Sequence, residues 1–250
     1  MLAKARRALR IGMRSPFPDP TATHDLIVHC CHHKVGTVWF HNVLSAVARD
    51  FGLRLYRGDQ GGLPAEADIF FQDHSRIDRA SLRRARGSHI VRDPRDVVVS
   101  AYFHHLRTEE PWVLSPSARY EGRSYQEHLR ALDREAGITC EIERCAATVI
   151  RDMVEWEHAG NGFLELRYED LLTDEEAGFR KLFCHYGFSP TAVERSTAIA
   201  LRFSHTRMRG RTKHIRSGRP GEWREHLSEA HLAQLERLTG DAIGRLGYRA

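Results

Sequence analysis

The sequence predicts an α/β fold, a single domain with a central parallel sheet flanked by helices. Three observations predict it. Short apolar runs of strand length alternate with longer stretches of helical periodicity, the order that βαβ units leave in a chain. The 250 residues are 41% hydrophobic and 28% charged, which suits one well-buried core. No internal repeat or low-complexity segment interrupts the alternation. In such sheets ligands bind beyond the carboxyl ends of the strands, so function is sought there.

Taken in order, residues 1–23 read as a basic leader and linker, and residues 24–250 as the domain. Met1 to Arg14 carries no acid, and Leu2, Ala5, Leu9 and Met13 fall roughly on one helical face. The segment lacks the apolar centre of a signal peptide. It reads as a solvated leader whose charge offers peripheral contact with an anionic membrane surface. Pro16, Pro18 and Pro20 then mark a linker. Asp25 to Cys31 is a buried strand, a turn follows, and Thr37 to Phe51 is a helix. Leu53 to Tyr56 is a second strand and Gly58 to Gly62 a loop. The apolar run Ala67 to Gln72 ends at Asp73-His74-Ser75, and Ser81 to Arg86 reads as a short basic helix. His89 to Val91 is a compact strand broken at Arg92-Asp93-Pro94. Pro94 starts a helix, where its missing N–H costs little.

Thr108 to Arg123 reads as irregular, and Ser124 to Arg134 and Glu141 to His158 as helical. Phe163 to Tyr168 alternates like a strand, and Glu169-Asp170 opens the next helix. Thr191 to Phe203 and Ser228 to Leu246 are further helices, with the polar, basic stretch Thr206 to Arg219 between them.

Lys and Arg total 38 against 33 Asp and Glu, a net charge of +5. That is modest for coating nucleic acid and suits a small anionic ligand. Five cysteines, an odd number, make no disulfide framework and point to a reducing compartment, the cytoplasm. No apolar run has the length of a membrane span.

Three segments carry chemistry. In Val28 to Phe40 an apolar strand meets the turn Lys34-Val35-Gly36-Thr37 and then a helix. A helix N-terminus leaves its first N–H groups unpaired and partly positive, so such a turn gathers donors and one ammonium at a point where anions bind. It is not a Walker A loop, because Lys34 precedes Gly36. In Arg92 to Ser100 an Arg closes a strand and a Ser lies under two helical turns beyond Pro94, so both could hold a second phosphate. In Arg216-Ser217-Gly218-Arg219-Pro220-Gly221-Glu222-Trp223 a basic Gly-containing loop precedes a helix. Each alone has an ordinary reading: an exposed loop, a strand-to-helix turn with an Asp96–Arg ion pair, a basic turn.

The run His29-Cys30-Cys31-His32-His33 invites a zinc reading. Neighbours on a strand point to opposite faces, and no second spaced cluster completes a ligand set, so a structural strand end is expected. Cys140 and Cys145 are read as small buried residues.

In this order, the three segments resemble the cofactor-binding elements of sulfotransferases that use 3′-phosphoadenosine 5′-phosphosulfate (PAPS), a P-loop NTPase-like fold with a phosphosulfate-binding loop. Tyr168-Glu169-Asp170-Leu171 and Leu246-Gly247-Tyr248 resemble further family elements. The resemblance implies transfer of a sulfuryl group from PAPS to a hydroxyl acceptor, or an amine, leaving 3′,5′-ADP. It implies no metal, and an acceptor that is a small molecule, a sugar or a lipid. Lys34, Val35, Gly36, Thr37, Val38 and Trp39 would cradle the phosphosulfate and stack on adenine. Arg92, Ser100, Arg216, Ser217 and Gly218 would hold the 3′-phosphate, with Tyr168 beside them. Lys34 would stabilise the leaving oxygen and His74 would act as base, with His104 and His105 as competitors. Thr108 to Arg134 and Thr206 to Arg219 would wall the acceptor pocket. The chain departs from the family at His33 (usually Pro), Val38 (usually Ser or Thr), Gln72 (often Lys) and Ser217 (usually Lys). A P-loop-type kinase and a non-catalytic nucleotide-binding protein are the alternative readings.

Overall fold

The computed structural model describes residues 25–82, 84–156, 162–205 and 218–249. The leader, and with it the reading of residues 1–23, lies outside them, as do Arg216 and Ser217. Five strands form one sheet: β1 (Leu26–Cys30), β2 (Leu55–Arg57), β3 (Ile69–Gln72), β4 (Ala85–Val91) and β5 (Phe163–Arg167). Their order is β2-β3-β1-β4-β5, and every pairing is parallel. β1 lies at the centre and is buried throughout, with Ile27 opposite Ile69 on one side and Arg86 on the other. The connection after β1 runs toward β2 and the one after β4 toward β5. The loops after these adjacent strands therefore part in opposite directions and leave a crevice, where parallel sheets bind ligands.

Alternation along β1 feeds both faces. Ile27 and Cys31 join the main core, while Leu26, Val28 and Cys30 pack with Phe70 and Trp156 on the opposite face. Helix α1 (Thr37–Phe51) buries Phe40, Val43, Leu44, Val47 and Phe51, the spacing of one helical stripe. Gly52 ends it in the left-handed region, at φ 71°. Helix α2 (Pro94–His105) begins with Pro94 in its first turn and is capped by the Asp93 side chain, which accepts the Arg95 N–H. Next come α3 (Pro111–Leu114), α4 (Tyr125–Ala131) and α5 (Arg134–Cys145), which runs through a wider turn into α6 (Arg151–Val154). After β5 follow α7 (Tyr168–Thr173), α8 (Glu175–His185), α9 (Pro190–Leu201), α10 (Glu229–Thr239) and α11 (Ala242–Arg245).

Several expectations need correction. Ser81 to Arg86 is not a helix: a single 3₁₀ turn spans Arg79–Ser81, and β4 has begun by Ala85. Pairing with β1 and β5 overrides the helical composition of this run. Arg84 and Arg86 instead hold Asp25 at the start of β1. Gly87 is where β5 closes in, since a Cβ there would lie 2.1 Å from the Phe163 ring. Thr108 to Arg123 contains the turn of α3, and the helix expected from Glu141 starts at Arg134. The long C-terminal helix breaks at Gly240, φ 58°, into α10 and α11. No helix among the described residues is long and apolar enough to cross a membrane.

Candidate active site

The loop after β1 winds around one buried side chain. Val35 is fully buried, while Lys34 before it and Gly36 after it take left-handed backbone, at φ 65° and 86°. The Val35 N–H and the Thr37 hydroxyl both donate to the His32 carbonyl, at 3.0 and 2.9 Å, which closes the turn. Gly36 is the N-cap of α1 and brings no capping side chain, and the first turn of α1 holds no acid. The first N–H groups of α1 have no acceptor within the helix. A partly positive N-terminus, the Lys34 ammonium and an absence of competing carboxylates in that turn make the loop an anion cradle. Val38 stands 42% exposed in the same turn, so a hydroxyl placed there would meet a ligand.

Arg92 joins the two ends of the crevice. Its Nη1 donates to the Lys34 carbonyl at 3.1 Å, and its guanidinium lies 4.6 Å from the centre of the Tyr168 ring. Its Nε is buried with no acceptor among the described residues, a donor left over for a ligand. Trp39 is buried edge-on against Tyr168 and Phe179, and its indole N–H also lacks an acceptor. Ser100 is half-buried on α2.

The C-terminal segment is pinned to α2 by Asp96. Its carboxylate accepts the Gly221 N–H at 2.7 Å and the Trp223 N–H at 2.9 Å, and burial pushes its pKa up. The Asp96–Arg ion pair is thus replaced: Arg95 pairs with Asp93 at 2.9 Å and lies over the Trp223 ring. Glu169 accepts the Asp93 N–H and the Tyr248 hydroxyl, tying the Tyr168 end of β5 to the chain's final turn. Gly218 sits at φ 62° against His205, with no room for a Cβ. Lys34 to Trp39, Arg92, Tyr168 and, through His205, Gly218 are therefore brought together.

His74 is at the end of β3, exposed. Its backbone N–H donates to Gln72 Oε1 at 2.7 Å, while its ring has no hydrogen-bond partner among the described residues. Gln72, in the family's Lys position, is buried and shapes this turn by also accepting the Arg76 N–H. His74 borders a cleft of about 440 Å³ lined by Arg76, Arg79, Asp152 and Trp156.

On the other side of Lys34 lies a cluster that the motifs do not announce. His33 Nε2 is 3.2 Å from His105 Nε2, and His105 Nδ1 is 2.8 Å from Glu141. Glu141 is fully buried on α5 and also accepts the Tyr125 hydroxyl at 2.8 Å and Arg144 Nε at 2.7 Å. Burial pushes its carboxyl up, but the hydrogen bond from His105 and the Arg144 charge outweigh burial and hold it below the usual range. Burial, then the His105 and Lys34 charges, push His33 well below its ordinary value. Burial also lowers His105 against the pull of Glu141. His104 bonds Glu110, whose carboxyl is thereby pushed down to about 2. A signal for Glu141 exists in the sequence: it is an acid in line with Ile138, Ile142 and Cys145 on a buried helical stripe. His205 has no such signal. Among the described residues no group of three or more His, Cys, Asp or Glu is placed to hold a metal ion.

The fold and the crevice define a P-loop-like α/β protein whose first loop is suited to an anion and lacks the Walker A order. The sulfotransferase domain family model matches residues 80–247. The chain belongs to the sulfotransferase domain family, and it is an enzyme of sulfuryl transfer. Among solved structures it is similar to a mouse sulfotransferase, SULT7A1, complexed with PAP (TM-score 0.61, 17% identity, covering 94% of this chain and 88% of that one). It is also similar to a retinol dehydratase in complex with androsterone and inactive cofactor PAP (TM-score 0.50, 15% identity, covering 99% and 88%). These likenesses bear on the fold. No curated protein matches the chain in sequence.

Proposed function

We propose that this enzyme moves a sulfuryl group from PAPS to a hydroxyl acceptor and releases 3′,5′-ADP. The observation that carries the reading is the acid-free N-terminus of α1, opened by the left-handed Lys34 and Gly36 and joined to Arg92 through the Lys34 carbonyl. The two structural neighbours hold PAP, the desulfonated form of that donor. Orphaned donors on Arg92 and Trp39 fit a ligand with phosphates and a base.

Sulfuryl transfer resembles phosphoryl transfer in its loose, in-line transition state, so positioning and electrostatics carry it. Lys34 and the first N–H groups of α1 offset the charge that grows on the departing phosphate. Arg92, Ser100, Arg216, Ser217 and Gly218 hold the 3′-phosphate and so select PAPS over ATP. Trp39 and Tyr168 flank the adenine. The acceptor's proton goes to a histidine base, for which the family resemblance offers His74 as a candidate, with His104 and His105 as competitors. The scheme gives a metal no step. The domain spans residues 24–250 behind a basic leader, and the free state of all five cysteines supports a cytoplasmic setting. The family resemblance assigns the acceptor, small molecule, sugar or lipid, to the Thr108 to Arg134 and Thr206 to Arg219 segments, of which residues 206–217 lie outside the described residues.

Incubation with labelled PAPS and a mixed acceptor panel, read by mass spectrometry, tests this. Lys34→Ala should lower turnover about 10²–10³-fold or more; near-normal turnover would sink the assignment. Thermal stabilisation by 3′,5′-ADP is expected, and stabilisation by ATP–Mg²⁺ alone would instead favour a kinase.

A further inference from the structure

We propose that His33 is the base that takes the acceptor's proton, and that His105 and Glu141 are positioning residues that fix which nitrogen of His33 is bare. The proposal rests on the sulfuryl-transfer reading and names the proton's path within it.

Hydrogen-bond logic sets the tautomers from the buried end outward. Glu141 takes bonds from Arg144 Nε and the Tyr125 hydroxyl, both donors to an ionised carboxylate. His105 Nδ1, 2.8 Å from the same carboxylate, must therefore carry a hydrogen. In a neutral ring the other nitrogen, His105 Nε2, is then an acceptor. It faces His33 Nε2 at 3.2 Å, with the two ring planes parallel to within 3°, so His33 Nε2 carries the hydrogen of that bond. One atom remains. His33 Nδ1 is left with a lone pair and has no hydrogen-bond partner among the described residues. His33 itself is half-buried and adjacent in sequence to Lys34.

This is the arrangement a general base needs: a free lone pair on one nitrogen, the opposite nitrogen held, and a carboxylate behind. The step balances. As the acceptor oxygen forms its bond to sulfur, the S–O bond to the departing phosphate breaks, and the acceptor's proton passes to His33 Nδ1. The Nε2 hydrogen of His33 can move to His105 Nε2, which places the imidazolium against Glu141 where its charge is paired. Burial disfavours the charged form of both rings before the reaction. Lys34, His104 and Arg144 also press on His33 from the loop, α2 and α5, and all three disfavour its premature protonation. By contrast, the His74 ring is exposed and nothing described orients it.

The test compares His33→Gln, which cannot serve as a base, with His74→Ala in the full-length protein. Fold is checked by thermal melting and donor-site integrity by 3′,5′-ADP binding. His33→Gln should lose about 10²–10⁴-fold in kcat with 3′,5′-ADP affinity intact. Added imidazole should partly rescue His33→Ala. His74→Ala is the comparison for a rival base, and its loss in kcat should fall well short of that of His33→Gln. Glu141→Gln should lower kcat, leave KM for PAPS unchanged and move the acid limb of the pH–rate profile, a shift that a merely structural carboxylate would not cause. ¹⁵N spectra of the resting protein should show His33 Nδ1 and His105 Nε2 unprotonated. A protein that transfers sulfuryl groups equally well with His33→Gln, or that loses transfer with His74→Ala alone, overturns this proposal and leaves the transfer reading standing. A parent chain that transfers to no acceptor overturns the reading beneath it, whatever the tautomers show.

Discussion

His32 and His33 are consecutive, and each heads a chain of two histidines and a carboxylate, but the two chains open at opposite ends. His32 Nε2 meets His89 Nε2 at 2.7 Å, and His89 Nδ1 meets Glu165 at 2.7 Å. There the leading histidine is sealed, 1% exposed, Trp156 stacks on His89, and the Glu165 side chain is 35% exposed. In the His33 chain the carboxylate is sealed and the leading histidine is half-buried. Adjacent residues beyond a strand point to opposite sides of the sheet, which sends one pair toward β4 and β5 and the other toward α2 and α5. The same three groups are thus a strut in one place and a proton acceptor in the other. The end that meets the ligand decides which.

Removing the carboxylates gives the widest separation. Glu141→Ala leaves His105, Tyr125 and Arg144 facing an empty buried site and should cost about 3–5 kcal/mol of stability. Glu165→Ala, where water can replace the carboxylate, should cost about 1 kcal/mol. Urea unfolding measures both, and equal losses would break the contrast.

Acid should come next. His29 is lowered to about 3 by burial and then by the His89 charge, and His32, His33 and His105 also lie below their ordinary value through burial. These groups bind protons more readily when unfolded, so their contribution is whole above about pH 6.5 and is lost as pH falls. The slope is about 1.4 kcal/mol per pH unit for each ring that stays neutral. Denaturation across about pH 5 to 8 should show the loss. His32→Asn should flatten that slope more than His33→Asn, because the half-buried ring is partly screened. The smallest effect is at the ligand end. Val38→Thr restores a hydroxyl to the loop and should tighten 3′,5′-ADP by about 1 kcal/mol without changing the melting temperature, as read by calorimetry.

How much of this was legible in the sequence follows from distance along the chain. β1, its loop and α1 form a continuous signal: an apolar run, a Lys-x-Gly-Thr turn and a helical stripe. Arg92 and Pro94 likewise mark a strand end and a helix start locally. The start of β4 was hidden because Arg83, Arg84 and Arg86 give a helical composition, and only the distant pairing with β1 and β5 makes the run a strand. The Glu141 chain was hidden more deeply. His33, His105 and Glu141 lie far apart in sequence and meet only when α2 and α5 pack beside the crevice. Asp96 misled in another way. Beside Arg95 it looks like half of an ion pair, whereas its partners are backbone N–H groups at Gly221 and Trp223.

The position of β1 in mid-sheet has a consequence for how the molecule is made. Both of its partners, β3 and β4, come later in the chain, and β5 much later. During synthesis β1 leaves the ribosome with two bare edges and waits for Ile69–Gln72 and then Ala85–Val91. The anion loop is translated before every segment that completes it, since Arg92, Tyr168 and the Gly221 segment must all dock before it is framed. A nascent chain stalled before Tyr168 has the loop but not the segments that frame it, so the crevice is complete only well after its central strand has been made.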